Sequence, residues 1–339
     1  MLRRRLHVGI DAALDAAPRA TGYGNMWHHV LRGLRARPGV DVRVAHGRSR
    51  EDVRLVDGHQ PAPVTRAPVV AHLHEAGWSN PALRAVLDPT FLAALEEATA
   101  AAVAHAAALI TPSESSKAQI VEAFGCDPER VVVVPHGVDL AVFRPGATAT
   151  PPAPVARPYV LFAATVHPRK NLEALREALD ELAVHGLPHR LVVVLSPAPD
   201  RVDSAALVAA AVAPLPRSGR PVTLVERPTD ADLAALMAGA DAFCLPSLME
   251  GFGMPVLEAM ACGTAVVVSD RGALPEVVGD AGVVVAPTAD AIAAGLERVL
   301  GDDAFRAARA ELGLRRAATM TWDRAVDGWL AVVRDVARP

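Results

Sequence analysis

Lysine and asparagine are nearly absent from this chain of 339 residues. Thirty-two arginines accompany two lysines, Lys117 and Lys170, and the asparagines are Asn25, Asn80 and Asn171. Lys170 and Asn171 are neighbours. A sequence that otherwise avoids both residues has set them side by side, which invites a specific explanation. Cysteine is scarce as well. Cys126, Cys244 and Cys262 are too few and too scattered for a disulfide framework or a zinc site. They read as buried thiols in a reducing cytoplasm. Aromatic residues make up 4% of a chain that is 51% hydrophobic, so alanine and the aliphatic residues must fill the cores. No apolar run reaches the roughly 20 residues of a membrane span. Met1 to Arg5 imitates the basic start of a signal peptide, but Asp11 breaks the apolar stretch that follows, and a first strand reads better.

Net charge is −4, which gives the whole chain no pull toward nucleic acid. The charge is uneven, however. Residues 1–50 hold ten arginines against Asp11, Asp15 and Asp41. A solvated arginine-rich face is one reading. The other is a basic face for an anionic acceptor, or for peripheral contact with the inner membrane surface.

The length suits two domains. Short apolar runs alternate with segments of helical spacing. The strand candidates are Leu6–Ile10, Val40–Ala45, Val69–His74, Leu109–Thr111 and Val131–Pro135, then Tyr159–Ala164, Leu191–Leu195, Val222–Val225, Ala242–Leu245, Ala265–Ser269 and Gly282–Val285. The runs are continuous, as in strands buried on both faces. Alternation of β and α predicts doubly wound parallel sheets. Residues 147–158, within a proline-rich stretch from Gly146 to Pro158, read as an extended linker. Residues 1–146 then form a first domain and 159–319 a second.

One stretch of the second domain organises the rest. An apolar run ends at Pro246-Ser247, and the loop Leu248-Met249-Glu250-Gly251-Phe252-Gly253 follows. Pro255 suits a helix start, and Gly263 suits its end. Met254, expected at the N-cap, has no oxygen to cap with, which would leave the first-turn N–H groups open to an anion. Gly251 and Gly253 allow close backbone approach. Glu250 and Glu258 bracket this anion site, and carboxylates there make sense as acceptors for sugar and ribose hydroxyls. In a second motif, His167-Pro168-Arg169-Lys170-Asn171-Leu172 follows the strand that starts at Tyr159. Asn171 is a candidate N-cap, and Arg169 and Lys170 are suited to neutralise a diphosphate.

Glu250 to Glu258, with Glu-Gly-Phe-Gly-Met-Pro inside it, resembles the E-x7-E motif of retaining glycosyltransferases of the GT-B fold, family 4. Pro168-Arg169-Lys170-Asn171-Leu172 resembles the same family's donor-diphosphate segment, without the extra arginine some members carry a few residues earlier. Thr21-Gly22-Tyr23-Gly24-Asn25 resembles its first-domain glycine loop, expected before a helix Met26–Leu34. His74-Glu75 resembles a pair whose histidine faces the donor sugar. Val225-Glu226-Arg227-Pro228 lies where the family reads the nucleotide base.

The resemblance implies two Rossmann-like domains facing a cleft, with a C-terminal helix, within 320–339, crossing back onto the first. It implies transfer of a hexose, mannose-like or glucose-like, from a UDP- or GDP-linked donor to a hydroxyl on a glycan, a lipid-linked acceptor or a small molecule. Glu250, Lys170, Arg169 and His74 would be catalytic. Glu258, Gly22, Gly24, Gly251, Phe252, Gly253, Met254, Pro255 and Arg227 would hold the donor. No cofactor or metal is implied. Asp230-Ala231-Asp232, which imitates a D-x-D metal motif, reads as a helix start, where acids favour the dipole. A sugar-nucleotide epimerase of the same fold, or a sugar-nucleotide-binding protein without catalysis, are the alternatives. The expected place is the cytoplasm or the inner membrane face.

Overall fold

The computed structural model describes residues 5–17, 22–45, 50–61, 65–79, 84, 88–148, 155–196 and 204–338. The chain forms two compact units. Unit 1 is Met1–Gly137 with Trp322–Pro339, and unit 2 is Val138–Thr321. Part of the proline-rich stretch, 149–154, and Thr21 lie outside the described residues. No helix among the described residues is long and apolar enough to cross a membrane.

Unit 1 holds one parallel sheet of six strands. These are β1 (Leu6–Ile10), β2 (Val40–Val44), β3 (Val53–Asp57), β4 (Val69–His72), β5 (Ala108–Thr111) and β6 (Val131–Val133), in the order β2-β1-β3-β4-β5-β6. The strand β3 was not expected from sequence. Arg54 sits in its middle and breaks the apolar run, yet every residue of the strand is buried. The guanidinium is neutralised where it lies. It donates to Glu51 and, at 3.1 Å, to Asp11 just beyond β1. A charge can occupy a sheet interior when its partners are buried with it.

The helix Trp322–Val336 returns to complete this unit. Trp329 meets Trp27 edge-on at 5.3 Å, and Val326 packs against Gly33, where a side chain would collide with it. Without that helix the apolar face of Gly22–Ala36 would lack a cover.

Unit 2 repeats the plan with β7 (Tyr159–Thr165), β8 (Arg190–Ser196), β9 (Val222–Glu226), β10 (Ala242–Leu245), β11 (Val266–Ser269) and β12 (Val283–Val285). Their order is β12-β11-β10-β7-β8-β9, and all pairings are parallel. The order reverses between β7 and β10. In such sheets the crevice beyond the carboxyl ends of the two strands at the reversal is where ligands bind.

Replacing Arg54 with leucine would take its guanidinium from the Glu51 carboxylate, whose side chain is 4% exposed. Breaking one side of a buried pair costs roughly 3–5 kcal/mol, and Arg54→Leu is expected to destabilise unit 1 by that order. Trp27, Trp78, Trp322 and Trp329 all belong to unit 1. Urea unfolding followed by tryptophan emission therefore reads this unit alone. An unchanged midpoint would show that the network contributes nothing.

Candidate active site

The residues after β7 and after β10 meet at the reversal point. From β7 the chain passes His167, which accepts from the Arg169 N–H at 3.0 Å, and makes one turn of 3-10 helix over Pro168–Lys170. From β10 it passes Ser247 to Glu250. Lys170 Nζ donates to Glu250 Oε1 at 2.6 Å, and Ser247 Oγ donates to the same oxygen at 2.7 Å. Arg169 Nη1 donates to the Met249 carbonyl at 3.0 Å and lies 3.6 Å from Glu250 Oε2.

Glu250 is buried at 5% exposure and Lys170 at 9%. Burial alone would raise the Glu250 carboxyl. Lys170, then Arg169, with hydrogen bonds from Lys170 and Ser247, outweigh it and hold the group at about 2. Lys170 is therefore an anchored, buried cation inside the site.

The backbone is shaped around this pair. Gly272 has φ +58°, and a side chain there would collide with the Glu250 carbonyl and stand 2.7 Å from its nitrogen. Ala273 N–H donates to the Glu250 carbonyl at 2.9 Å. Asn171 is the residue before the helix Leu172–Val184, but it does not cap it. Its φ is +55°, and its amide donates instead to the Pro246 and Pro287 carbonyls at 3.1 and 3.0 Å. The left-handed conformation, which asparagine tolerates, turns the side chain away from the helix and across to the β10 loop.

The helix after the glycine loop is Met254–Ala261, with Gly253 and not Met254 at the N-cap. Gly253 takes φ +96° and gives no side-chain cap. Fewer first-turn donors are open than the sequence suggested. Val256 N–H folds back to the Gly253 carbonyl at 3.0 Å, and Pro255 has no N–H. Phe252 packs in the core of unit 2, so its backbone is what it can offer a ligand. Glu258, on this helix, is half-buried. Desolvation first, and Asp230 second, push its carboxyl up to about 8. Asp232 caps its own helix by a reciprocal bond pair with Thr229 and is committed there. Arg227, exposed after β9, holds φ +46°. Non-glycine residues seldom take that conformation outside functional or strained turns.

In unit 1, Gly22 and Gly24 do not form a loop. They open the helix Gly22–Ala36. Between them Tyr23 donates to Asp57 Oδ2 at 2.8 Å, at the end of β3. His74 is half-buried, and its N–H donates to His59 Nε2 at 3.1 Å. The rings of His72 and His136 lie near it. Burial and the neighbouring histidines push both of these imidazoles well below their ordinary value. No local signal marks that cluster, because His136 follows β6 while His72 and His74 lie at the end of β4.

A family model described as Glycosyltransferase Family 4 matches residues 12–142, and one described as Glycosyl transferases group 1 matches 157–302. The chain belongs to glycosyltransferase family 4. A D-inositol 3-phosphate glycosyltransferase of Acidothermus cellulolyticus is 33% identical over 243 residues, 69% of this chain and 54% of that protein. The O-antigen chain mannosyltransferase B of Escherichia coli is 33% identical over 237 residues, 63% of this chain and 57% of its own length. The matched part of the chain thus spans about half the length of these relatives. Among solved structures, the sucrose-phosphate synthase of Thermosynechococcus elongatus superposes with a TM-score of 0.76 at 20% identity, over 98% of this chain and 99% of that one. An Anabaena protein solved with UDP and glucose gives 0.71 at 18% identity, over 98% of this chain and 100% of that one. These likenesses establish the GT-B fold of a family 4 chain.

The structure brings Arg169, Lys170 and Glu250 into one cluster. It leaves Glu258 and Arg227 elsewhere on unit 2, and Gly22, Gly24 and His74 on unit 1. The buried pair predicts coupling. Lys170→Met takes the nearer cation from the buried Glu250 carboxylate, leaving Arg169 at 3.6 Å and Ser247 beside it, and is expected to destabilise unit 2 by up to roughly 3–5 kcal/mol. Adding Glu250→Gln removes the poorly compensated charge, so the double variant should lose less than the sum, by on the order of 1–3 kcal/mol. Calorimetric unfolding checks this, since the tryptophans do not report on unit 2. Additive losses would mean the two side chains are energetically independent.

Proposed function

We propose that this chain is a retaining glycosyltransferase that moves a hexose from a nucleoside-diphosphate sugar to a hydroxyl acceptor. The observation that carries the reading is the Lys170–Glu250 pair, 2.6 Å long and buried at the reversal point of the unit 2 sheet. The buried ammonium, anchored on Glu250, puts a fixed positive charge where the leaving diphosphate would develop its own. Arg169 adds a planar guanidinium at the same mouth. Cations fixed before the reaction stabilise developing phosphate charge without reorganising. The reading needs no divalent ion to bridge the diphosphate, and the capping of the Asp230–Gly239 helix by Thr229 and Asp232 supports a helix start at Asp230-Ala231-Asp232.

Glu250 Oε1 is taken by Lys170 and Ser247, while Oε2 keeps acceptor capacity for a hydroxyl of the donor sugar. Glu258 has the character of a ribose-binding acid. His74, Gly22 and Gly24 are assigned to the donor sugar and phosphate by family resemblance. The leaving phosphate takes the acceptor's proton on the face it departs from. The acceptor is a glycan, a lipid-linked sugar or a small polyol, in keeping with the inositol phosphate and O-antigen chain named for the two relatives.

Retention is tested by proton NMR of the product. The anomeric configuration should match that of the UDP- or GDP-hexose consumed, and an inverted product would overturn the assignment.

The state of Glu258 gives a second test. Its ordinary value of 4.5 is raised to about 8, so near pH 7 the free protein holds the proton. A raised carboxyl disfavours the folded state progressively as pH climbs from the ordinary value toward the raised one, because the unfolded chain then binds fewer protons. Ribose hydroxyls donating to Glu258 favour its charged form. UDP or GDP binding should therefore release up to about one proton at pH 7, and affinity should rise between about pH 6 and 8. Calorimetry in buffers of different ionisation heat measures the release. Glu258→Gln should abolish it, and a release that survives the substitution would remove Glu258 from the ribose site.

A further inference from the structure

Unit 1 gathers three histidines at the carboxyl edge of its sheet. His72 ends β4, His74 follows two residues later, and His136 lies three residues beyond β6. β4 and β6 flank β5, so the two strand ends emerge close together. The ring centroids of His72 and His74 are 6.1 Å apart, of His72 and His136 5.9 Å, and of His74 and His136 5.6 Å. One nitrogen from each ring can be chosen so that all three lie within 4.8 Å of one another.

Clustered histidines are often plain core residues with their nitrogens satisfied. His59, close by, is such a residue. Its Nε2 accepts from the His74 N–H, so Nδ1 carries the proton and reaches Thr99 Oγ1 at 3.1 Å. His72 differs. It is 1% exposed, and neither ring nitrogen has a hydrogen-bond partner among the described residues. Trp329 stacks on the ring at 5.5 Å and Trp27 meets it edge-on at 5.8 Å, so it cannot swing to solvent. Buried polar nitrogens left unpaired are uncommon and unfavourable, and each calls for a partner.

We infer that His72, His74 and His136 form a binding site for a divalent transition-metal ion of the zinc class, held by one ring nitrogen from each. An all-imidazole ligand set suits zinc, cobalt, nickel or copper and does not suit magnesium or calcium, which take oxygen. Bonds of about 2.0–2.1 Å place the nitrogens of a tetrahedral ion roughly 3.4 Å apart. The rings must therefore close by about an ångström on loading, and His74, only half-buried, has the room to move. Three nitrogens leave a fourth position for water or a ligand oxygen. All three residues belong to unit 1. The Lys170–Glu250 cluster belongs to unit 2, so the inference does not rest on it; a bound ion would take His74 from the donor-sugar role that family resemblance gives it, and it places no metal on the diphosphate.

The test uses the full chain, stripped with chelator and dialysed. Cobalt(II) is titrated while its visible d–d absorption is followed, and zinc is titrated by calorimetry. One equivalent of cobalt should bind with a tetrahedral-type band that zinc displaces. His74→Ala and His136→Ala should each weaken binding by at least about 100-fold, beyond the range for loss of an outer-shell partner. His185→Ala, which removes an exposed histidine beside Glu181 in unit 2, should change nothing. Zinc should also raise the unfolding midpoint of unit 1, read by tryptophan emission, in the parent and not in His74→Ala. Absence of a saturable one-equivalent band in the parent chain overturns the inference whether or not the variants fold. So does parent-like affinity in a folded His74→Ala.

Discussion

The ion pair between Lys170 and Glu250 is the contact on which unit 2 is arranged. Neither charge could lie so deep alone, since an unpaired buried ion is far costlier than a paired one. Each therefore requires the other, and together they require β7 and β10 to be neighbours. The surrounding backbone serves that requirement. Gly272 must be glycine, because the Glu250 backbone occupies the place of its side chain. Asn171 gives up its capping role to tie the β7 turn to the Pro246 and Pro287 carbonyls. Ser269 Oγ donates to the Ser247 carbonyl from the next strand over. The result is a cation fixed at the carboxyl edge of the sheet.

The two glutamates of the E-x7-E segment show how environment divides labour between identical side chains. Glu250 has two cations and a hydroxyl against it and stays ionised to about 2. Glu258, desolvated and in the field of Asp230, holds its proton to about 8. One acid is a permanent charge that positions Lys170. The other is poised to change state when hydroxyls arrive. Pairs of acids whose surroundings drive them apart are a recurrent mark of sites where the two do different work.

Unit 1 is held together differently. Its polar residues lie within an aromatic and aliphatic core, and the helix Trp322–Val336 brings Trp329 against both Trp27 and His72. Arg54 is tolerated in the sheet because Glu51 and Asp11 go in with it. In both units, then, a charge far from water is explained by buried partners, among them one distant in sequence: Asp11 for Arg54 and Glu250 for Lys170.

That distance separates what was legible in the sequence from what was not. Continuous apolar runs and their alternation with helical spacing were enough to place eleven of the twelve strands among the described residues and the doubly wound class, because burial on both faces writes itself into local composition. The E-x7-E segment and the lone Lys170 were legible for a similar reason, since glycine, proline and a rare residue type are local marks. The strand β3 was missed because Arg54 looks like a surface residue until its partners are known. The glycines Gly22 and Gly24 looked like a loop but start a helix, and Asn171 looked like a cap but spans to another strand. Nothing local could have paired Lys170 with Glu250, set Glu258 at the opposite end of the acid scale, or drawn His72, His74 and His136 together. Those outcomes depend on which strand ends become neighbours. Strand order in a parallel sheet is decided by the packing of the whole unit, and residues eighty positions apart feel one another's charge only after that order is set.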